Sequence, residues 1–130
     1  MRFELIDRVL EQSAERIVAV KSVTSAEEYL ADHFPSFPVL PGVMMLETLV
    51  QAGRKLLADR SDRPLVVTEV RNVRYGNMVR PGEQLTVEVT LKKDDDAGWD
   101  LTGDGRVNGQ VAVEGGFRVS PRANAAPATA

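Results

Sequence analysis

One long helical pattern dominates the chain, from Val43 to about Asp59, and the other strongly periodic segments read as strands. Its first two turns, Val43-Met44-Met45-Leu46-Glu47-Thr48-Leu49-Val50, are apolar nearly all round, the pattern of a helix enclosed by protein. A single enclosed helix needs a wall around it, and strands are available to build one. Arg16 to Val23 is β-branched, Leu65 to Val73 is apolar, and Leu85 to Leu91 alternates strictly with Leu85, Val87, Val89 and Leu91 on one face. Trp99 to Val107 and Gln110 to Val119 are two more strands, joined at Asn108-Gly109, a strong hairpin signal. Phe3 to Leu10 fits either a strand or one or two helical turns. Thr24 or Ser25 followed by Glu27 and Glu28 marks the start of a short helix. Pro81-Gly82 marks a turn, and Lys92 to Gly98, with Asp94-Asp95-Asp96, reads as a solvated loop. The expected class is α+β, an antiparallel sheet wrapped around one long central helix.

A chain of 130 residues hides roughly two-thirds of its surface on folding, enough for one core and too little for two. One domain over residues 1–119 and a disordered tail over 120–130, rich in Ala and Pro, are expected. The net charge of −3 and pI near 5.2 lack the basic excess of a nucleic-acid binder. The chain has no Cys, which excludes disulfides, thiolate metal sites and cysteine nucleophiles. A single histidine, His33, excludes a multi-histidine cage, so no metal site is expected. No apolar run reaches the roughly 18 residues that cross a bilayer. A soluble, cytoplasmic protein is the simplest expectation, and the open edges of its sheet invite self-association.

Three features could carry chemistry. Glu47 is the only ionisable residue from Val43 to Gly53. A carboxylate buried alone costs several kcal/mol, so it either pairs with an arginine, reaches a water-filled gap, or serves as a proton donor. His33 lies in His33-Phe34-Pro35-Ser36-Phe37-Pro38-Val39-Leu40-Pro41-Gly42, where prolines deny regular structure to an apolar segment. It is either a structural histidine or a base suited to neutral pH. Finally, Pro41-Gly42 opens the helix, where the free N–H groups of Gly42 and Val43 offer partial positive charge to an oxygen that gains electrons. Base, oxyanion donor and acid together describe the loss of water from a 3-hydroxy carbonyl compound.

The segment from His33 to Ala52 resembles the signature of the (3R)-hydroxyacyl-[acyl carrier protein] dehydratases, H-F-P-G-x-P-x-x-P-G-V-x-x-x-E-x-x-x-Q, with fourteen residues from His to Glu. Ser36 stands where that pattern has Gly. Phe3 to Val9, Val20 to Thr24 and Val79-Arg80-Pro81-Gly82-Glu83-Gln84-Leu85 are similar to further segments of the family. Tyr75-Gly76-Asn77-Met78-Val79 stands where the family has aromatic-basic-basic-Pro-Val.

The resemblance implies a hot-dog fold and a homodimer, often assembled further into a trimer of dimers. It implies an active site between subunits, with His33 of one chain acting on C2 and Glu47 of the other assisting loss of the C3 hydroxyl. The Gly42 N–H would polarise the thioester carbonyl. Glu47, rather than Asp, points to the FabZ-like, dehydratase-only branch. No metal or redox cofactor is implied, since the substrate arrives on the phosphopantetheine arm of acyl carrier protein. Phe37, Val39, Leu40, Val43, Leu46, Val50 and Met78 are candidate walls for the acyl chain. The carrier is acidic, so its dock should be basic. From Arg54 to Arg80 seven basic residues stand against three acidic ones, with Arg54, Lys55, Arg71, Arg74 and Arg80 the candidate contacts; a merely solvated face explains the same excess. An acyl-thioester hydrolase on the same fold and a non-catalytic acyl-carrier-binding paralogue are the alternatives.

Overall fold

The computed structural model describes residues 5–23 and 40–122. Six strands form one antiparallel sheet: β1 (Arg8–Gln12), β2 (Arg16–Ser22), β3 (Leu65–Tyr75), β4 (Gln84–Asp95), β5 (Gly98–Val107) and β6 (Gln110–Pro121). Their spatial order is β1-β2-β4-β5-β6-β3, so β1 and β3 are the edges. Helix α1 (Gly42–Leu57) runs into a 3-10 turn over Ala58–Arg60. It touches every strand from β2 to β6, which is how one sheet comes to wrap one helix.

Alternation puts the apolar set of each strand on the helix side. Leu85, Val87 and Val89 of β4, Leu101 of β5 and Phe117 and Val119 of β6 are fully buried against Leu49, Ala52 and Leu57 of α1. Leu91, Leu101 and Phe117 are cross-strand partners in one row, the unit that stabilises a sheet face. The helix packs tightly on the sheet at Gly53, where a Cβ would stand 2.9 Å from the Phe117 ring.

Two expectations need correction. Lys92 to Asp95 do not form a loop. They continue β4, pairing with Gly98 to Asp100, and only Asp96 and Ala97 make the turn. The polar run marked the solvent face of a hairpin end, and polarity of side chains says nothing against a backbone ladder. The last strand runs past Val119 to Pro121, paired with Leu65 and Val66. The first segment, open between strand and helical turns, is in part the strand β1, exposed along its whole length and paired with β2. By contrast, Asn108-Gly109 makes the expected tight hairpin, with φ of 52° and 79°, the left-handed pair that such two-residue turns require. The short helix expected after Thr24 and the tail from residue 123 lie outside the described residues.

The first turns of α1 are also not enclosed on every side by one chain. Met45, Thr48, Leu49 and Val50 are buried, yet Val43 is 66% exposed. One apolar side chain, Val43, thus faces outward one turn before Glu47.

Candidate active site

The start of α1 is built for close approach. Pro41 is the N-cap, no side chain caps the helix, and its first turn holds no carboxylate. The Pro41 carbonyl accepts from Met44 N at 2.9 Å and Met45 N at 3.1 Å. The N–H groups of Gly42 and Val43 have no partner among the described residues, and they face outward at the positive end of the helix dipole. The ring of Tyr75, the last residue of β3, covers Gly42: a Cβ there would meet ring carbons at 3.0 to 3.3 Å. Leu40, just before the helix, is pinned by its N–H to Val79 O at 2.8 Å.

Glu47 lies at the surface of the single chain, its side chain 42% exposed. The expectation of a buried carboxylate on an enclosed helix is therefore not met within one chain. The reason is that the face carrying Val43 and Glu47 is left open in the single chain, although its apolar neighbours in sequence read as buried. Arg54 Nη1 stands 4.0 Å from Glu47 Oε2, a long contact between half-exposed groups that is worth little. Arg54 Nε is buried with no hydrogen-bond partner among the described residues.

The closer partner is Gln51, one turn further on. Its Nε2 donates to Glu47 Oε2 at 3.2 Å, and its Oε1 accepts from Leu5 N at 2.9 Å. The backbone donor at Leu5 fixes which way the amide points. Gln51 was not singled out as a site residue in the sequence. Its i, i+4 spacing from Glu47, within the E-x-x-x-Q pattern, was the available signal.

His33, Phe37 and Val39 lie outside the described residues. Of the other candidate acyl walls, Leu40 and Val50 are buried, Leu46 is half-buried, and Val43 and Met78 are exposed. The candidate carrier contacts fall in three places. Arg54 and Lys55 lie on the second half of α1. Arg71 and Arg74 line a cleft of about 790 Å³ on the sheet. Arg80 and Met78 line another of about 280 Å³ beside the Asn108 turn. There Glu83 ties the β3–β4 connection to that turn, accepting from Arg80 N at 2.8 Å and Asn108 Nδ2 at 3.0 Å.

One antiparallel sheet wrapped on one helix is the hot-dog fold. The solved dehydratase heterocomplex ApeI:P from Xenorhabdus doucetiae superposes with a TM-score of 0.75 over 93% of this chain and 84% of that one, at 19% identity. The structure of smu.793 from Streptococcus mutans UA159 bound to acetyl CoA superposes with a TM-score of 0.74 at 12% identity, over 95% of this chain and 94% of that one. These likenesses establish the fold. In sequence, residues 9–113 match the ApeI-like family, described as ApeI dehydratase. The 3-hydroxyacyl-[acyl-carrier-protein] dehydratase FabZ of Anaeromyxobacter sp. (strain K) is 42% identical over 123 residues, covering 88% of this chain and 78% of the relative. That of Solibacter usitatus (strain Ellin6076) is 35% identical over 116 residues, covering 86% and 72%. The chain belongs to the 3-hydroxyacyl-[acyl-carrier-protein] dehydratases, FabZ-like hydro-lyases of fatty-acid synthesis. That membership selects the dehydratase over the hydrolase and the non-catalytic alternative.

Proposed function

We propose that the protein converts (3R)-3-hydroxyacyl-[acyl carrier protein] to the trans-2-enoyl thioester, with His33 and Glu47 as its catalytic pair. The observation that carries this reading is the start of α1, where free N–H groups at Gly42 and Val43 stand one turn from a carboxylate held by Gln51. His33 takes the proton from C2. The electron pair moves toward the thioester oxygen, which the Gly42 N–H receives as a hydrogen-bond acceptor. The C3–O bond then breaks as Glu47, directly or through a water, delivers a proton to the leaving hydroxyl. One proton is taken and one given, so water leaves and the two residues exchange protons to reset. Proton transfer alone suffices, and the reading calls for no metal or redox cofactor.

The working unit in this reading is a homodimer in which His33 reaches Glu47 of the other subunit, alone or as part of a trimer of dimers. The 66% exposure of Val43 one turn before Glu47 supports it, since a second chain over that side chain would shield the carboxylate and sharpen its electrostatics. Phe37, Val39, Leu40, Val43, Leu46, Val50 and Met78 would line the acyl path. A single domain whose last strand reaches Pro121, in the cytoplasm where the carrier is present, completes the proposal. Among the described residues no helix is long and apolar enough to cross a membrane.

Incubation of the purified protein with (3R)-3-hydroxyacyl carrier protein tests it. Intact-mass measurement should show the loss of one water with the thioester retained. Release of free thiol without an enoyl product would contradict the proposal and restore the hydrolase.

A further inference from the structure

Helix α1 has a face turned away from the sheet. By helical geometry Val43, Glu47 and Arg54 fall within about 40° of one another around its axis, roughly opposite the core residues Leu49, Ala52 and Leu56. Val43 is 66% exposed, and the Glu47 and Arg54 side chains are each 42% exposed. Helical side chains lean toward the N-terminus, so Arg54 reaches back toward Glu47, and its Nη1 ends 4.0 Å from Glu47 Oε2.

That contact does not occupy the guanidinium. Gln51 Nε2 already holds Glu47 at 3.2 Å, and 4.0 Å is beyond a hydrogen bond. Arg54 Nε is buried with no partner among the described residues. Arginines of the sheet are spent on carboxylates: Arg16 on Glu88 at 2.6 Å, Arg74 on Glu114 at 2.6 Å, Arg106 on Asp104 at 2.7 Å and Arg118 on Asp95 at 2.7 Å. A guanidinium presents its N–H donors as a planar fork that fits an oxygen acceptor, and donors left idle once a face is covered are costly. The proposed reaction sets the direction of the substrate along this face. Its thioester lies at Gly42 and its C3 at Glu47, so the rest of the acyl chain runs on toward Arg54. With Nη1 so near the Glu47 carboxyl, the substrate group that meets the guanidinium sits a few bonds beyond C3.

We propose that Arg54 is a specificity-determining residue of the acyl path, and that it selects 3-hydroxyacyl chains bearing an oxygen acceptor, a carbonyl or a carboxylate, a few bonds beyond C3. The inference rests on the dehydratase reading and deepens it by naming the substrate class. It moves Arg54 from the expected carrier contacts into the substrate path. A site donor that an all-carbon chain leaves unpaired discriminates against that chain. The discrimination is weaker here than at a fully buried site, because the Arg54 side chain is half-exposed.

The test compares three N-acetylcysteamine thioesters, which need no carrier: 3-hydroxyhexanoyl, 3-hydroxyadipoyl and the terminal methyl ester of the latter. The ester offers a neutral carbonyl at C6 and the acid a carboxylate there, so the two arms separate the sources of the acceptor. On wild-type full chain we expect kcat/KM about tenfold or more higher for an oxygen-bearing chain than for the plain one. In Arg54→Met that ratio should fall to about one, and Arg54→Lys, which keeps the charge without the fork, should retain part of it. Calorimetric binding of the unreactive hexanoyl and adipoyl thioesters, and of the adipoyl methyl ester, reads the same preference without turnover. A wild-type preference below about twofold would overturn the proposal, as would a preference that survives in Arg54→Met. Loss of the dimer in that variant would also overturn it, by making Arg54 a contact between copies. A wild type that dehydrates none of the three would instead sink the dehydratase reading, and the binding preference would then decide on Arg54.

Discussion

Gln51 holds the Glu47 carboxylate from one turn away, donating Nε2 to Oε2 at 3.2 Å while its own Oε1 is fixed by Leu5 N at 2.9 Å. A carboxyl held through an amide that the backbone orients has little freedom to swing. Gln51→Leu, close in volume, removes both bonds. We expect kcat to fall about tenfold to a hundredfold and stability to fall by about 1–3 kcal/mol from the orphaned Leu5 N–H. Steady-state kinetics and urea unfolding measure the two separately. A kcat within twofold of wild type would show that Gln51 does not position Glu47.

Gly42 tests the oxyanion role. An added methyl meets the Tyr75 ring at 3.0 to 3.3 Å, but that residue is 51% exposed and can turn aside. Gly42→Ala should therefore change stability by less than about 1 kcal/mol, yet reduce turnover about tenfold or more by crowding the free N–H. Adding Tyr75→Ala should not restore the rate. Recovery in the double variant would mean that the displaced ring, not the crowded N–H, caused the loss.

Gly53 sits where helix propensity and packing conflict. Alanine gains about 1 kcal/mol in a helix interior, while overpacking a filled core costs about 1–3 kcal/mol. With a Cβ only 2.9 Å from the Phe117 ring, packing should win and Gly53→Ala should lower the melting temperature. In a Phe117→Leu background the ring is gone and the same substitution should become neutral or stabilising. An unchanged penalty there would put its cause elsewhere than Phe117.

The β4–β5 hairpin carries a pH dependence. Arg118 donates Nη2 to Asp95 Oδ1 at 2.7 Å, and Ala97 N and Gly98 N donate to the same oxygen. The Arg118 hydrogen bond first, then the Ala97 amide, holds the Asp95 carboxyl at about 2, against an ordinary 3.8. The same contact raises the Arg118 guanidinium. The unfolded chain thus binds a proton near 3.8 that the folded chain refuses until about 2. Stability from this group is complete above the higher value and is lost as pH falls through the lower one. Asp95→Asn should lower the melting temperature at neutral pH, and the gap to wild type should narrow through that window. In Arg118→Ala the Asp95 carboxyl should titrate closer to its ordinary value by carbon NMR; an unmoved titration would contradict the assignment.

Much of this was legible because it rests on local rules. Alternation from Leu85 to Leu91 gave the buried face of β4, and Asn108-Gly109 gave its hairpin, since a pleat and a left-handed turn each restrict residue type directly. The His33–Glu47 spacing and the proline-glycine helix start drew attention to the same short segment for similar reasons. What was not legible depends on register across distant strands. Lys92 and Lys93 read as loop residues, and only their pairing with β5 and the bulge after Leu91 bring them opposite Arg71. Glu47 read as enclosed because its neighbours in sequence are apolar, whereas its own side chain is 42% exposed in the single chain.

The most direct measurement is the dehydration rate of carrier-linked (3R)-3-hydroxyacyl substrate by His33→Ala and Glu47→Gln, each beside wild type and each checked for an unchanged melting temperature. The account predicts that either substitution lowers turnover by about two orders of magnitude or more. Two folded variants that dehydrate as fast as wild type would contradict it.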